Sequence, residues 1–262
     1  MAPPVLRPLS AGEILDVSFT LYRRHFGALA LVALVCTGIP LALRLFLEAG
    51  GGFFADLPLA LLYMVVLVGL NLVATAATVF IVSESYLGRP ITAREALHRA
   101  TPYIGRVLVC SLLMTLVVVL GFVLLFVPGI ILLVGLVVAI PAVVLEPGIS
   151  PTTALSRSWE LTRGSRWRIF GLGVTLLVLL YVPVLAITGL FALVLPGSLG
   201  VGVGSSAFGS MAGAVVGLAV GGLVQIFIYP LFYCVLTVTY YDLRVRKEGF
   251  DLELLAAQLQ SA

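Results

Sequence analysis

Thirty-nine consecutive residues, from Val107 to Leu145, carry no charge. As one helix they would extend ~58 Å at 1.5 Å per residue, about twice the ~30 Å hydrocarbon core of a bilayer. A hairpin of two membrane spans uses such a run fully. Pro128-Gly129, near its middle, is the expected reversal. Four further apolar stretches are each long enough to cross: about Phe26 to Leu47, Leu57 to Val82, Ile169 to Leu195, and Gly209 to Tyr240. Gly38 with Pro40 predicts a kink in the first of them.

Composition agrees. Charged residues are 10% of the 262 and hydrophobic ones 61%, whereas soluble domains carry roughly 25% charged residues. The net charge of +3 is too small to point to nucleic acid, and where the charges lie matters more than their sum. Cys36, Cys110 and Cys234 each sit inside an apolar run and read as packing thiols. With two histidines, His25 and His98, and no ligand spacing, no metal or cofactor is expected. Arg7, Glu13 and Asp16 precede the first apolar run, so no cleavable signal peptide is expected.

Three short polar segments punctuate the spans. Ser10 and Glu13 have capping-box spacing, and so do Thr92 and Glu95. Residues 90–97 align position for position with 8–15. Ile149, Ser150 and Leu155 match Leu9, Ser10 and Leu15, with Pro151 at a first-turn position and Gly164 as the stop. The chain therefore reads as one integral membrane domain, all-α. Three units, about 8–84, 90–146 and 149–242, each hold an interfacial amphipathic helix and two spans, followed by a tail, 243–262. Six spans bring the three short helices and both termini to one side. That side holds every Lys and Arg except Arg44, a bias that predicts the cytoplasmic face.

Few residues could carry chemistry. Arg157, Arg163, Arg166 and Arg168, with Trp159 and Trp167, are candidate contacts for anionic lipid headgroups or a protein partner; a phosphate-bearing substrate is the alternative. Glu84, Glu146 and Asp242 end the even-numbered spans, where a carboxylate opposes the helix dipole. They are expected to form interface salt bridges with neighbouring arginines, proton or cation handling being the alternative. Gly209, Gly213, Gly217 and Gly221 make one smooth helix face, for internal packing, a homodimer seam or a lipid groove. Asn71 and Gln225 predict interhelical hydrogen bonds, and Arg44 is near enough to its span end to snorkel. No catalytic constellation is present among these residues.

The stretches Leu9–Asp16, Ala154–Thr162 and Tyr240–Leu252 resemble the membrane domain of glycerophosphoryl diester phosphodiesterases, in its stand-alone actinobacterial form. The resemblance implies a multi-span protein of the bacterial cytoplasmic membrane. In two-part members of that family hydrolysis belongs to a separate barrel domain. The spans and short helices here leave no room for it, so no catalytic residue carries over and the chain is not expected to be an enzyme. The expected role is a module organising membrane lipids or partner proteins at the cytoplasmic face, in envelope or glycerolipid metabolism. A transporter or lipid-translocating protein, and an enzyme acting on lipid phosphates, are the rivals.

Overall fold

Helix α1 (Ala11–Arg24) begins at Ser10, whose hydroxyl accepts the Glu13 N–H while the Glu13 carboxylate accepts the Ser10 N–H. This reciprocal cap satisfies two of the donors that a helix start leaves open. The chain then continues through α2 (Phe26–Ala33) and α3 (Ile39–Ala49), α4 (Leu57–Tyr86), α5 (Ala93–Ala100) and α6 (Ile104–Leu124). Helices α7 (Phe126–Leu136), α8 (Ala139–Leu145), α9 (Pro151–Thr162), α10 (Arg166–Val194) and α11 (Ala207–Glu248) complete it. The computed structural model describes residues 7–49, 57–194 and 207–249, with side chains described except at 45–49, 187, 188, 191–194 and 207–225. No strand occurs among the described residues.

Six helical stretches are long and apolar enough to cross a membrane: Phe26–Arg44, Leu57–Tyr86, Ala93–Leu124, Phe126–Leu145, Arg166–Ala186 and Ile226–Glu248. The fold is that of an all-α, multi-pass membrane protein. Two of the interruptions within these stretches have a local cause. A π turn, Leu34–Gly38, joins α2 to α3, with the Ile39 N–H reaching back to the Leu34 carbonyl. It lies just before Pro40, which has no N–H to continue the ordinary ladder. Between α7 and α8 the helix breaks at Val137 and Val138. Pro141, four residues after Val137, can neither donate to that carbonyl nor avoid it sterically.

The hairpin reversal differs from expectation. Leu125, not Pro128-Gly129, takes the extended conformation that turns the chain, and Pro128 and Gly129 lie in the opening turn of α7. A proline is tolerated there because first-turn N–H groups have no intrahelical partner anyway. Gly129 serves packing instead: a Cβ on it would come within 2.5 Å of the Phe122 ring, so its absence lets α6 and α7 close.

Helices α4 and α11 hold 30 and 42 residues, ~45 Å and ~63 Å at 1.5 Å per residue, so both exceed the hydrocarbon core. Burial shows where the excess goes. The first half of α4 exposes Leu57, Leu61, Leu62, Val65 and Val68, whereas Ala74 to Val79 and Ile81 to Ser83 are buried. All of Ala139 to Val144 in α8 and Cys234 to Leu243 in α11 are likewise buried. These ends form the centre of a core to which α2, α6 and α10 also contribute, and α1, α5 and α9 cover it: α1 packs on α11, α5 on α4, and α9 on α6, α7 and α8. Counted from the caps Ser10, Thr92 and Ser150, the fourth and eighth residues are buried in each covering helix. They are Ile14 and Ser18, Ala96 and Ala100, Ala154 and Ser158. An i, i+4 pair is one helix face, so all three helices dock through the same register.

Candidate functional site

The polar ends of α4, α8 and α11 each present an acid, and each acid meets arginine. Glu84 lies 3.2 Å from Arg99 on α5 and 3.9 Å from Arg89. Glu146 accepts from Arg157 Nε at 3.1 Å and from the Tyr240 hydroxyl at 2.7 Å, and Arg157 also pairs with Glu248. Burial works against the Arg157 charge, but hydrogen bonds to Glu248 and Glu146 override it and raise its pKa. Arg99 and Arg157 are both the seventh residue after their caps; in α1 that position is Val17.

Asp242 is served differently. Its fully buried carboxylate accepts the Leu9 N–H at 2.7 Å, Arg246 Nε at 3.1 Å, and Arg168 Nη2. Arg168 and Arg246 also donate to the Leu9 carbonyl, at 2.9 and 2.6 Å. One carboxylate, two guanidinium groups and the backbone N–H and carbonyl of Leu9 thus tie together the chain entering α1, the start of α10 and the end of α11. Every strong acceptor in the cluster has a charged donor, the condition under which a buried ion pair is tolerated.

Helix α9 is fixed at the break in the fourth span. The Gly135 carbonyl, left open there, accepts from the Ser158 and Thr162 hydroxyls at 2.9 and 3.1 Å. The Trp159 ring lies on Gly135 so closely that a Cβ at 135 would meet it at 2.5 Å. Arg166 stacks on the other part of this arrangement, its guanidinium 3.7 Å from the Trp159 ring centroid. The turn from α9 to α10 passes through Gly164 at φ +85°, a left-handed conformation that glycine adopts without strain. Beside this turn lies a groove of about 380 Å³, lined by Ile130, Ile131, Val134 and Phe170 with Arg163, Gly164, Arg166 and Trp167.

The structure therefore divides the residues singled out from sequence. Arg157 and Arg168 are held in ion pairs with Glu146, Glu248 and Asp242. Trp159 packs inward, while Arg163, Arg166 and Trp167 line the groove, Trp167 being 86% exposed. Gly209, Gly213, Gly217 and Gly221 lie on α11, and their packing and Gln225 fall outside the described side chains. Asn71 departs from expectation: its amide donates to Leu67 of its own helix at 3.2 Å. The interhelical bond comes one turn later, between the Thr75 and Tyr229 hydroxyls at 2.6 Å. The second capping box forms only by half. Thr92 accepts the Glu95 N–H, but the Glu95 carboxylate pairs with Arg99 at 2.6 Å. Leu9, Tyr240, Arg246 and Glu248 were not singled out. A count of residues from each cap would have set Arg99 beside Arg157, and no local signal marks the Leu9 backbone.

Comparison with known proteins places the chain. No curated protein and no solved structure matches it. The family model for the membrane domain of glycerophosphoryl diester phosphodiesterase matches residues 108–255, more than half of the chain. The matched part runs from α6 to beyond α11 and contains α9, the groove, Glu146 and Asp242 with its arginine partners. The chain belongs to the family of the glycerophosphoryl diester phosphodiesterase membrane domain.

Proposed function

We propose that this chain is a non-catalytic membrane module whose arginine-rich end organises lipids or partner proteins. That end faces the cytoplasm of a bacterial inner membrane, with both termini on the same side. The observation that carries the reading is the division of charge. Glu84, Glu146 and Asp242, the acids at the span ends, are engaged by Arg99, Arg157 and Arg168 around the buried ends of α4, α8 and α11. An enzyme acting on lipid phosphates would need acids and arginines converging on one pocket. Here they pair off, and the groove beside α9 holds arginines without an acid in its lining. Two cationic groups over an apolar floor suit binding better than bond cleavage.

Native mass spectrometry of protein gently extracted from its own membrane tests this. A retained lipid or co-purified protein is the expected result, and a bare monomer would overturn the reading. Orientation is tested separately, by protease digestion of a C-terminal tag: cleavage in inverted vesicles and protection in intact cells is expected.

A further inference from the structure

We propose that the groove between α7 and the start of α10 binds one anionic membrane phospholipid, with its phosphate on Arg163 and Arg166 and an acyl chain along Ile130, Ile131, Val134 and Phe170. The proposal rests on the function proposed above and names its ligand. The volume, about 380 Å³, falls within the ~300–1,000 Å³ of small-ligand sites. Its chemistry is polarised: four apolar side chains form the floor, and both cations stand where α9 turns into α10. A phospholipid has the same division.

The two arginines differ from their neighbours in having no acid. Among the described residues no carboxylate lies within 4 Å of either, whereas Arg157 and Arg168, close by in sequence, are both in ion pairs. Arg166 is held over the Trp159 ring, which orients its planar donors, and its Nε is buried with no hydrogen-bond partner. A buried donor left open costs free energy until an acceptor arrives, and a phosphate offers several in the geometry that guanidinium groups match. Exposed Trp167 at the rim has the amphipathic character of residues at the water–lipid boundary. A zwitterionic headgroup carries its own cation, which two uncompensated arginines would repel. A net negative lipid is therefore the favoured occupant.

The test is titration of the purified full-length protein with phosphatidylglycerol and, separately, phosphatidylcholine, read by native mass spectrometry. The wild type is expected to hold one phosphatidylglycerol at least about tenfold more tightly than phosphatidylcholine. The double substitution Arg163→Gln with Arg166→Gln should abolish that preference. Val134→Phe keeps both arginines and fills the floor, so it should weaken both lipids. Equal affinities in the wild type would overturn the proposal. Unchanged phosphatidylglycerol binding in both variants would overturn it too, while leaving a lipid-organising function standing with its lipid elsewhere. Binding of inorganic phosphate that Val134→Phe leaves intact would make this a free-phosphate site and overturn the lipid assignment.

Discussion

Arg166 and Arg168 stand two residues apart in the first turn of α10, in different surroundings. Arg168 reaches a fully buried carboxylate and the Leu9 carbonyl, joining residues 159 and 74 positions away in the chain. Arg166 lies over Trp159 beside an apolar groove, with an open buried Nε and no acid within ion-pair distance among the described residues. Both are arginines at the boundary of a membrane span, so residue type and position alone would assign them one role. Their difference comes from the acid. Where the fold supplies a carboxylate, arginine becomes a cross-link between chain segments. Where it supplies none, the same side chain is left with capacity for an outside anion. Arginine-rich ends of spans thus divide into structural and binding groups by what lies across from them.

The largest way to break this comparison is at Asp242. Removing one partner of a buried ion pair typically costs about 3–5 kcal/mol, because the charges that remain are uncompensated. Asp242→Ala should lower the thermal unfolding midpoint in mild detergent more than any other single change at this end. An unchanged midpoint would mean that Arg168 and Arg246 find other partners, and that the two α10 arginines are alike after all. Gly135→Ala comes next. Its new Cβ would fall 2.5 Å from Trp159, and overpacking of this kind costs about 1–3 kcal/mol. Since Trp159 carries Arg166, this substitution should also loosen the groove, read as greater exposure of tryptophan to a water-soluble quencher. It should leave the Asp242 cluster intact.

The spans were legible because a bilayer demands apolar length, and Val107 to Leu145 supplies twice what one crossing needs. The starts of α1, α5 and α9 were legible because Ser10, Thr92 and Ser150 are cap residues at matching positions. The reversal was not. Pro-Gly punctuates turns, yet proline is equally at home in a first helical turn, and only the packing of Gly129 on Phe122 distinguishes the two uses. Nor was the buried half of α4 apparent. Lipid tails are as apolar as leucine, so an apolar run does not say whether lipid or protein covers it. The small residues from Ala74 to Thr78 were the available signal for close helix packing. The pairing of Asp242 could not be read locally. Val17 occupies the position that supplies arginine in α5 and α9, and the substitutes come from α10 and α11. The groove, too, exists only once α7 and α10 meet.

Two smaller changes sharpen the contrast. Arg166→Gln removes a cation–π contact worth about 1 kcal/mol, with no ion pair lost. Its unfolding midpoint should therefore move far less than that of Asp242→Ala, while lipid retention falls. A midpoint shift as large as that of Asp242→Ala would make Arg166 a structural cross-link too.

The smallest effect is expected at the exposed end of α1. Hydrogen bonds from the Ser10 N–H and hydroxyl, and then from Arg7, hold the Glu13 carboxyl down at about 2, against an ordinary value of 4.5. A carboxyl with a depressed pKa stabilises the fold fully above its unfolded value and loses that contribution as pH falls toward its folded one. Wild-type protein should therefore lose the capping contribution between about pH 4.5 and 2. Glu13→Gln should lack it at neutral pH, and its stability should change less over that acid window. The difference between the two pH profiles is the readout, since other carboxylates titrate in both proteins. Parallel profiles would show that the cap relies on the Ser10 hydroxyl accepting the Glu13 N–H alone. Charge at the exposed edge of this end would then count for nothing, while charge at Asp242 holds it together.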